Sequence, residues 1–331
     1  MYNQEIKKNT RVRSRRASVY EETMILEKVV KRILPPHLIQ AVYYVWYGGR
    51  LIGMTSLAEQ KFYTECAAML SGAKGAIVDL GCWMCSTAIS LAKGLRQHGE
   101  GGRCTASKVY AFDRFVWEAW MDRYLPIVSR NYLPGDSFLP EAQRRIKPYS
   151  DLIELVEGDL TTYVWQGGPI KLLLVDAMKS WQLAQAITSS FYPSLREGSV
   201  LIHQDFKHYW TPWIHIVQYR LRDYFRLMRE VTKGGTVSFE TLCEIPANVV
   251  LSASEFTDVS DEEVDHAMEY SLGMVGDQGK PPVMAAHVMY FVHKGRPEKA
   301  SKVFAMYRAR GIPIQGDFAL AEQYLQTGGR G

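Results

Sequence analysis

Six carboxylate or amide side chains stand at the ends of short apolar runs. They are Asp79 in Ile77-Val78-Asp79-Leu80-Gly81, Asp113 after Val109-Tyr110-Ala111-Phe112, Asp159 after Val156-Glu157-Gly158, Asp176 after Leu172-Leu173-Leu174-Val175, and Gln204-Asp205 after Val200-Leu201-Ile202-His203. A carboxylate at a strand end can accept hydrogen bonds from both hydroxyls of a ribose, which suits Asp113. Oxygen ligands converging from neighbouring strand ends, here Asp176, Gln204 and Asp205, suit a hard divalent cation such as magnesium. Groups able to move a proton lie beside them. Lys179 follows Asp176 by three residues and becomes a base where burial or a neighbouring cation depresses its pKa. His203 and His208 are its rivals: His203 is either a base or a core histidine, depending on how strand alternation turns it, and His208 lies in a loop past the strand end.

The stretch Asp79-Leu80-Gly81-Cys82-Trp83-Met84-Cys85-Ser86-Thr87 ends a strand and opens a helix. Gly81 would let a ligand approach the backbone, and the first N–H groups of the helix offer donors. Two nucleotide-binding patterns are missing, the G-x-G-x-x-G of dinucleotide sites and the phosphate-loop lysine, which argues against a nicotinamide oxidoreductase. Cys82 and Cys85 have C-x-x-C spacing, but no second pair follows to complete a four-ligand zinc site. They are read as filler of the loop rather than as a redox pair. Phe206-Lys207-His208-Tyr209-Trp210-Thr211-Pro212-Trp213 follows the fifth strand. Its aromatic residues either form a platform for a sugar ring or flat acceptor, or staple the next helix to the sheet.

Asp79-x-Gly81 before a short loop resembles motif I of class I S-adenosylmethionine-dependent methyltransferases, with Cys85 where that family usually has a second glycine. The resemblance covers roughly residues 55–245 and rests on the ordered set Asp79/Gly81, Asp113, Asp159, Asp176 and Asp205. It implies S-adenosylmethionine as methyl donor, with its amino-acid part on the loop around Asp79, Gly81, Cys82, Ser86 and Thr87. It implies Asp113, next to Arg114, as ribose ligand, and Asp159, next to Leu160, as acceptor from the adenine amino group; otherwise Asp159 is a surface turn residue. Asp176-x-x-Lys179 resembles the metal-dependent O-methyltransferases of the catechol type. There the aspartate binds metal and the lysine deprotonates the substrate hydroxyl, and Gln204 and Asp205 fall at the remaining ligand positions. The same strand ends resemble macrocin-type sugar and macrolide O-methyltransferases, which carry acidic pairs where this chain has Gln204. The expected activity is methylation of a hydroxyl on a sugar or secondary metabolite, with or without magnesium. The alternative is a non-catalytic methyltransferase-like partner subunit, which Cys85 and Gln204 favour.

These groups need a sheet to position them. Short apolar runs at 76–80, 108–112, 151–156, 170–175 and 199–204 alternate with helical segments at 86–95, 117–125, 180–190 and 212–226. Continuous apolar strands interleaved with helices indicate a parallel sheet covered on both faces. Runs at 226–231 and 236–243 around Lys233-Gly234-Gly235 read as an antiparallel hairpin. The expected fold class is therefore α/β: a doubly wound, seven-stranded, mostly parallel Rossmann-like methyltransferase sheet with an antiparallel last strand, plus N- and C-terminal helical extensions. The expected divisions are a basic tail over 1–17, a helical cap over 18–72, the donor-binding domain over 73–246 and a helical extension over 247–331. Within these, 18–34 reads as an amphipathic helix ended by Pro35-Pro36. Thr55 or Ser56 caps a helix from about Leu57 to Leu70, Ser260-Asp261-Glu262-Glu263 has capping-box spacing, and 283–294 and 297–310 form a helical pair.

The 331 residues, 47% hydrophobic and 22% charged, exclude disorder, collagen and coiled coil as descriptions of the whole chain. No apolar run approaches the roughly 18 residues of a membrane span, and the N-terminus does not read as a secretory signal. Five cysteines do not make a disulfide framework, so a cytoplasmic location is expected. Residues 1–16 carry six basic side chains against Glu5, more than the whole chain's net +4, so the body is close to neutral. Without aromatic interleaving this tail reads as solvated rather than as a nucleic-acid arm. A homo-oligomer acting on a small molecule is expected.

Overall fold

Runs of β-branched and aliphatic residues with no polar alternation form the centre of the sheet, because strands covered on both faces bury every side chain. The computed structural model describes residues 51–99, 107–125 and 128–327. The tail 1–17 and the expected helix 18–34 lie outside the described residues. From Gly53 onward the chain forms one unit. Its strands are β1 Ala76–Leu80, β2 Val109–Asp113, β3 Ile153–Glu157, β4 Ile170–Val175, β5 Leu195–His203, β6 Phe225–Glu230 and β7 Val237–Thr241. They lie in the order β3-β2-β1-β4-β5-β7-β6, with β7 antiparallel to both neighbours and the other pairs parallel. Every side chain of β1 and β4 is buried.

The described helices are α1 Leu57–Met69, α2 Ser86–Gly99, α3 Leu139–Ile146, α4 Trp181–Phe191, α5 Pro212–Arg220, α6 Ala247–Ala253, α7 Asp261–Leu272, α8 Lys280–His293, α9 Pro297–Ala309 and α10 Asp317–Thr327. None is long and apolar enough to cross a membrane. Two helical expectations differ from the structure, and one helix was not expected. Residues 117–125 form only a 3-10 turn, Ala119–Arg123. The helix expected to reach residue 226 ends at Arg220, and a 3-10 turn hands the chain to β6. The connection before β3 contains α3, with Pro140 in its first turn, where a missing N–H costs nothing.

The C-terminal helices share the sheet's core. Phe206, Trp213 and Phe239 belong to the same buried apolar cluster as Val264, Met268, Val288, Phe291 and Phe318. Ser260 caps α7 by accepting from Glu263 N, as its spacing suggests.

On the other side α1 crosses α2 closely. A side chain at Gly94 would meet Thr64 O at 2.2 Å, and Thr64 Oγ1 donates to Ser90 O at 2.9 Å. The N-terminus of α1 is tied to the β6–β7 turn by Glu59, which is buried. Its Oε2 accepts from Ser56 N at 2.7 Å, and its Oε1 accepts from Gly235 N and Thr236 Oγ1, both at 2.9 Å. With Thr236 donating to Glu59, the Tyr63 hydroxyl donates to Thr236 Oγ1 at 2.7 Å. Hydrogen bonds to a charged group are worth about 1.5–3 kcal/mol, and here three donors would lose their partner. Glu59→Ala is therefore expected to lower the stability of the fold by about 3 kcal/mol. The check is urea unfolding, read as a lower midpoint at unchanged slope.

Candidate functional site at the carboxyl rim of the sheet

Sheet register sets the rim. Leu80 pairs with Phe112 and Val175, Asp113 with Glu157, and Val175 with His203. The last residues of β1, β2, β3, β4 and β5 therefore end along one edge, and the residues singled out from the sequence follow them.

Asp79 is fully buried in β1. Its Oδ2 accepts from Thr87 Oγ1 at 2.6 Å, while its Oδ1 has no hydrogen-bond partner among the described residues. Burial pushes its carboxyl up to about 8. The Thr87 hydrogen bond opposes the shift, and Asp176 and Asp113 add to it. Ser86, also expected around this loop, hydrogen-bonds Thr55 through their hydroxyls at 3.1 Å.

Gly81 is needed for a reason other than ligand approach. Its φ is 88°, and a Cβ there would lie 3.0 Å from the Asp176 carbonyl. The close approach of β4's end, reinforced by the Asp176 N to Leu80 O bond of 2.8 Å, demands glycine. The loop amides are also largely committed to the protein. Gly81 N and Cys82 N donate to Phe112 O, Trp83 N to Asp113 Oδ2 and Cys85 N to Cys82 O. Cys85 adopts φ 63°, the left-handed conformation a glycine would take at no cost, and both Cys82 and Cys85 are buried.

Asp113 is bound into this loop. Its Oδ2 accepts from Trp83 N and its Oδ1 from Phe115 N, each at 2.9 Å, leaving further lone pairs on both oxygens. Burial raises its pKa and these amides oppose the shift. Gly158 N donates to Asp113 O at 3.0 Å, which brings the third strand end alongside. Asp159 closes its own turn. Its Oδ1 accepts from Thr161 N and Thr161 Oγ1, both at 2.8 Å, and these bonds lower its pKa. Arg114 is exposed and paired with Glu118, and Leu160 is buried in the core.

Asp176, Lys179, Gln204 and Asp205 come together. Lys179 Nζ lies 2.9 Å from Asp176 Oδ1 and also hydrogen-bonds Asp205 Oδ2. Oriented to satisfy its neighbours, the Gln204 amide donates to Asp176 Oδ1 at 2.8 Å and to Asp205 Oδ1 at 3.1 Å. Burial raises the Asp176 carboxyl well above the usual carboxylate range, with Lys179 pulling it down and Asp205 pushing it up. For Lys179 burial works downward, but Asp176 and Asp205 outweigh it and raise its pKa.

The three bases expected from the sequence are all disfavoured by this geometry. Lys179 is an ammonium stabilised by two carboxylates, the reverse of the depressed pKa a lysine base needs. His203 is fully buried beside Phe206 and Phe239. It hydrogen-bonds the Tyr192 hydroxyl at 3.1 Å, and burial pushes its pKa down to about 3. His203 is thus the core histidine of the two readings. His208 Nδ1 accepts from Trp210 N at 3.2 Å. The lone pair of that nitrogen is thus engaged by the protein.

The metal expectation also meets an obstacle. Three of the four oxygens on Asp176 and Asp205 already take a donor from Lys179 or Gln204. Among the described residues no group of three or more His, Cys, Asp or Glu could hold a metal ion. As arranged, this donor set does not fit a divalent cation.

The aromatic segment after β5 is mostly a staple. Trp213 is buried and donates from Nε1 to Met178 O at 2.7 Å, and Trp210 packs edge-on against His293 and at a tilt against Tyr324. Two rim residues escaped the sequence reading. Glu59 was signalled by its spacing from Ser56. Asp317 of α10, whose Oδ2 accepts from Tyr209 N at 3.1 Å, is 108 residues away in sequence and gave no local signal.

No protein-family model matches this chain, and no curated protein matches it. Solved structures similar to it include the O-methyltransferase NovP, at 17% identity and a TM-score of 0.45 over 59% of this chain and 84% of that one. CalS11, a calicheamicin methyltransferase, matches at 14% and 0.47 over 66% and 91%. A methyltransferase from Geobacter sulfurreducens matches at 12% and 0.39 over 66% and 96%. The fold itself rests on the sheet observed in this chain: its order β3-β2-β1-β4-β5-β7-β6, with β7 alone antiparallel and helices flanking it, is that of a Rossmann-like methyltransferase fold.

Proposed function

We propose that this chain is an S-adenosylmethionine-dependent O-methyltransferase whose acceptor is a hydroxyl of a sugar or other secondary metabolite. The observation that carries the reading is the alignment of Asp79, Asp113, Asp176 and Asp205 along one rim of a sheet in methyltransferase order. That rim spans the point between β1 and β4 where the strand order reverses, the place where open α/β sheets bind ligands. Asp79 Oδ1 and Trp83 Nε1, both buried and without a hydrogen-bond partner among the described residues, are polar atoms that a bound donor would satisfy.

When bound, the donor supplies a methyl group already activated by its sulfonium. Asp79 offers a carboxylate to the donor's ammonium. Asp113, fixed by two backbone amides, has lone pairs left for ribose hydroxyls. Asp176 Oδ1 is occupied by Lys179 and Gln204, which leaves Oδ2 to accept the acceptor's hydroxyl proton. Asp176 would take that proton as the acceptor oxygen received the methyl group, with the carbon–sulfur electron pair left on the donor's sulfur.

Calorimetric titration with S-adenosylmethionine, followed by transfer of a labelled methyl group to a panel of sugar and macrolide hydroxyls, tests this. Label in an acceptor supports the reading, and absence of donor binding removes it. Binding without transfer to any acceptor points to the non-catalytic alternative. In the same titration Asp113→Ala is expected to weaken donor binding by about 1–3 kcal/mol, the scale of hydrogen bonds to a charged acceptor. Unchanged affinity would remove Asp113 as the ribose ligand.

A further inference from the structure

Lys179 follows the end of β4 by four residues, and Lys179 N donates to Ala177 O at 2.8 Å. This tight turn brings its side chain back over Asp176 and across to Asp205 on the neighbouring strand end. A hexacoordinate ion such as magnesium binds oxygen at about 2.0–2.1 Å in near-octahedral geometry and would need the same oxygens. To enter, it would have to expel an ammonium already neutralised by both carboxylates. It would also have to turn Gln204 around, so that the amide presents oxygen instead of its two N–H donors. Two cations within hydrogen-bonding reach of one carboxylate pair repel each other strongly in a partly buried site.

We infer that Lys179 is the resident cation of this site: its ammonium stands between Asp176 and Asp205 where a divalent metal would have to sit, and the site works without metal. This rests on the methyltransferase reading of the rim. Lys179 is then a positioning residue. It holds the Asp176 side chain by Oδ1 and places a positive charge between two neighbouring carboxylates. The neutral amide of Gln204, in place of an acid, belongs to the same arrangement, since one ammonium balances two carboxylates better than three.

The test uses the full chain, stripped with a chelator, and Mn2+ as a paramagnetic probe. Free Mn2+ is counted by its solution EPR signal, and S-adenosylmethionine affinity is measured separately by calorimetry. The wild-type chain is expected to leave Mn2+ free up to about millimolar concentration, which by mass action means a Kd above that value. Lys179→Met is expected to acquire one Mn2+ site at least tenfold tighter, and Lys179→Met with Asp205→Asn to lose it again. Should the Met variant fail to fold by circular dichroism, Lys179→Gln is read in the same way. Uptake of one equivalent of Mn2+ by the wild-type chain overturns the inference. So does a folded Lys179 variant that takes up none, because the ammonium would then not be what holds the ion out. Donor binding that persists while wild-type Mn2+ uptake is found sinks this inference alone, whereas loss of donor binding sinks the reading beneath it.

Discussion

Asp176→Asn is expected to lower kcat by about a thousandfold, within the roughly 10²–10⁴ that a positioned general base contributes, while donor affinity changes only a few-fold. The substitution keeps the shape of the side chain and an oxygen for Lys179, so the fold and the rim should survive. What it removes is the group proposed above to receive the acceptor's proton. Lys179 is held protonated, His203 is buried on Tyr192, and His208 has its Nδ1 engaged. Asp205 has both oxygens taken, by Lys179 and Gln204. The pH dependence carries a second signature. Burial places the Asp176 carboxyl above the ordinary range, so its base form is lost at a higher pH than for a solvated aspartate. Activity of the wild-type chain should therefore fall as pH drops through that raised pKa, and the residual activity of the Asn variant should not show this limb. Single-turnover transfer of labelled methyl across pH measures both. Retained turnover in the Asn variant would mean that the reacting centre lies elsewhere.

The strands that build the rim were the most legible part of the chain. β1 and β4 begin and end where their apolar runs do, because a strand buried on both faces has nothing but side-chain polarity to mark its limits. β5 starts at Leu195, four residues before the apolar run at Ser199, since Arg196 and Glu197, with polar side chains, and Gly198, with none, extend the strand. The strand Phe225–Glu230 was legible as the run at 226–231, with only its start blurred because the preceding helix was carried on to residue 226. A short segment mixing Phe, Leu and Met with arginine fits either period, so the boundary between helix and strand is fixed by pairing with β7.

Which residues meet at the rim was legible, but what each does there was not. The order of strand ends brings Asp176 and Asp205 side by side whatever their chemistry. Whether Lys179 is a base or a counter-ion depends on where a flexible four-carbon stem comes to rest, and spacing alone cannot decide that. His203 shows the same limit. One residue from Gln204 it faces the core, and strand alternation predicts a face only when the register is known. Gly81 was singled out as the residue that would let a ligand approach the backbone. The close contact it permits is with the backbone of Asp176, a long-range consequence of β1 pairing with β4. Asp317 and Glu59 reach the rim from outside the five strand ends, through contacts with Tyr209 and with the β6–β7 turn.

Asp79→Asn is expected to make the fold more stable and the donor site weaker, with the stability gain growing as pH rises. In the native protein the carboxyl of Asp79 titrates at about 8 against an ordinary value of 3.8, chiefly because it is buried. The folded state thus binds a proton that the unfolded state gives up. Stability associated with this group is intact below the unfolded pKa. It declines as pH climbs between the two values, by about 1.4 kcal/mol for each unit of separation, and levels off above the folded pKa. Asparagine cannot ionise, and its side-chain oxygen still accepts from the Thr87 hydroxyl, so it avoids this loss. Urea unfolding at about pH 5 and about pH 9 should show a small difference at the first and one of several kcal/mol at the second. A carboxylate that costs the fold this much, with one oxygen left without a partner, makes sense as the counter-charge of a bound cation. The donor's ammonium is that cation in the reading given above, so S-adenosylmethionine affinity should fall by about tenfold or more, the worth of a charge-assisted hydrogen bond. An Asn variant that is less stable across the whole range would show that the carboxylate is already satisfied within the fold, and Asp79 would then have no vacancy to offer a donor.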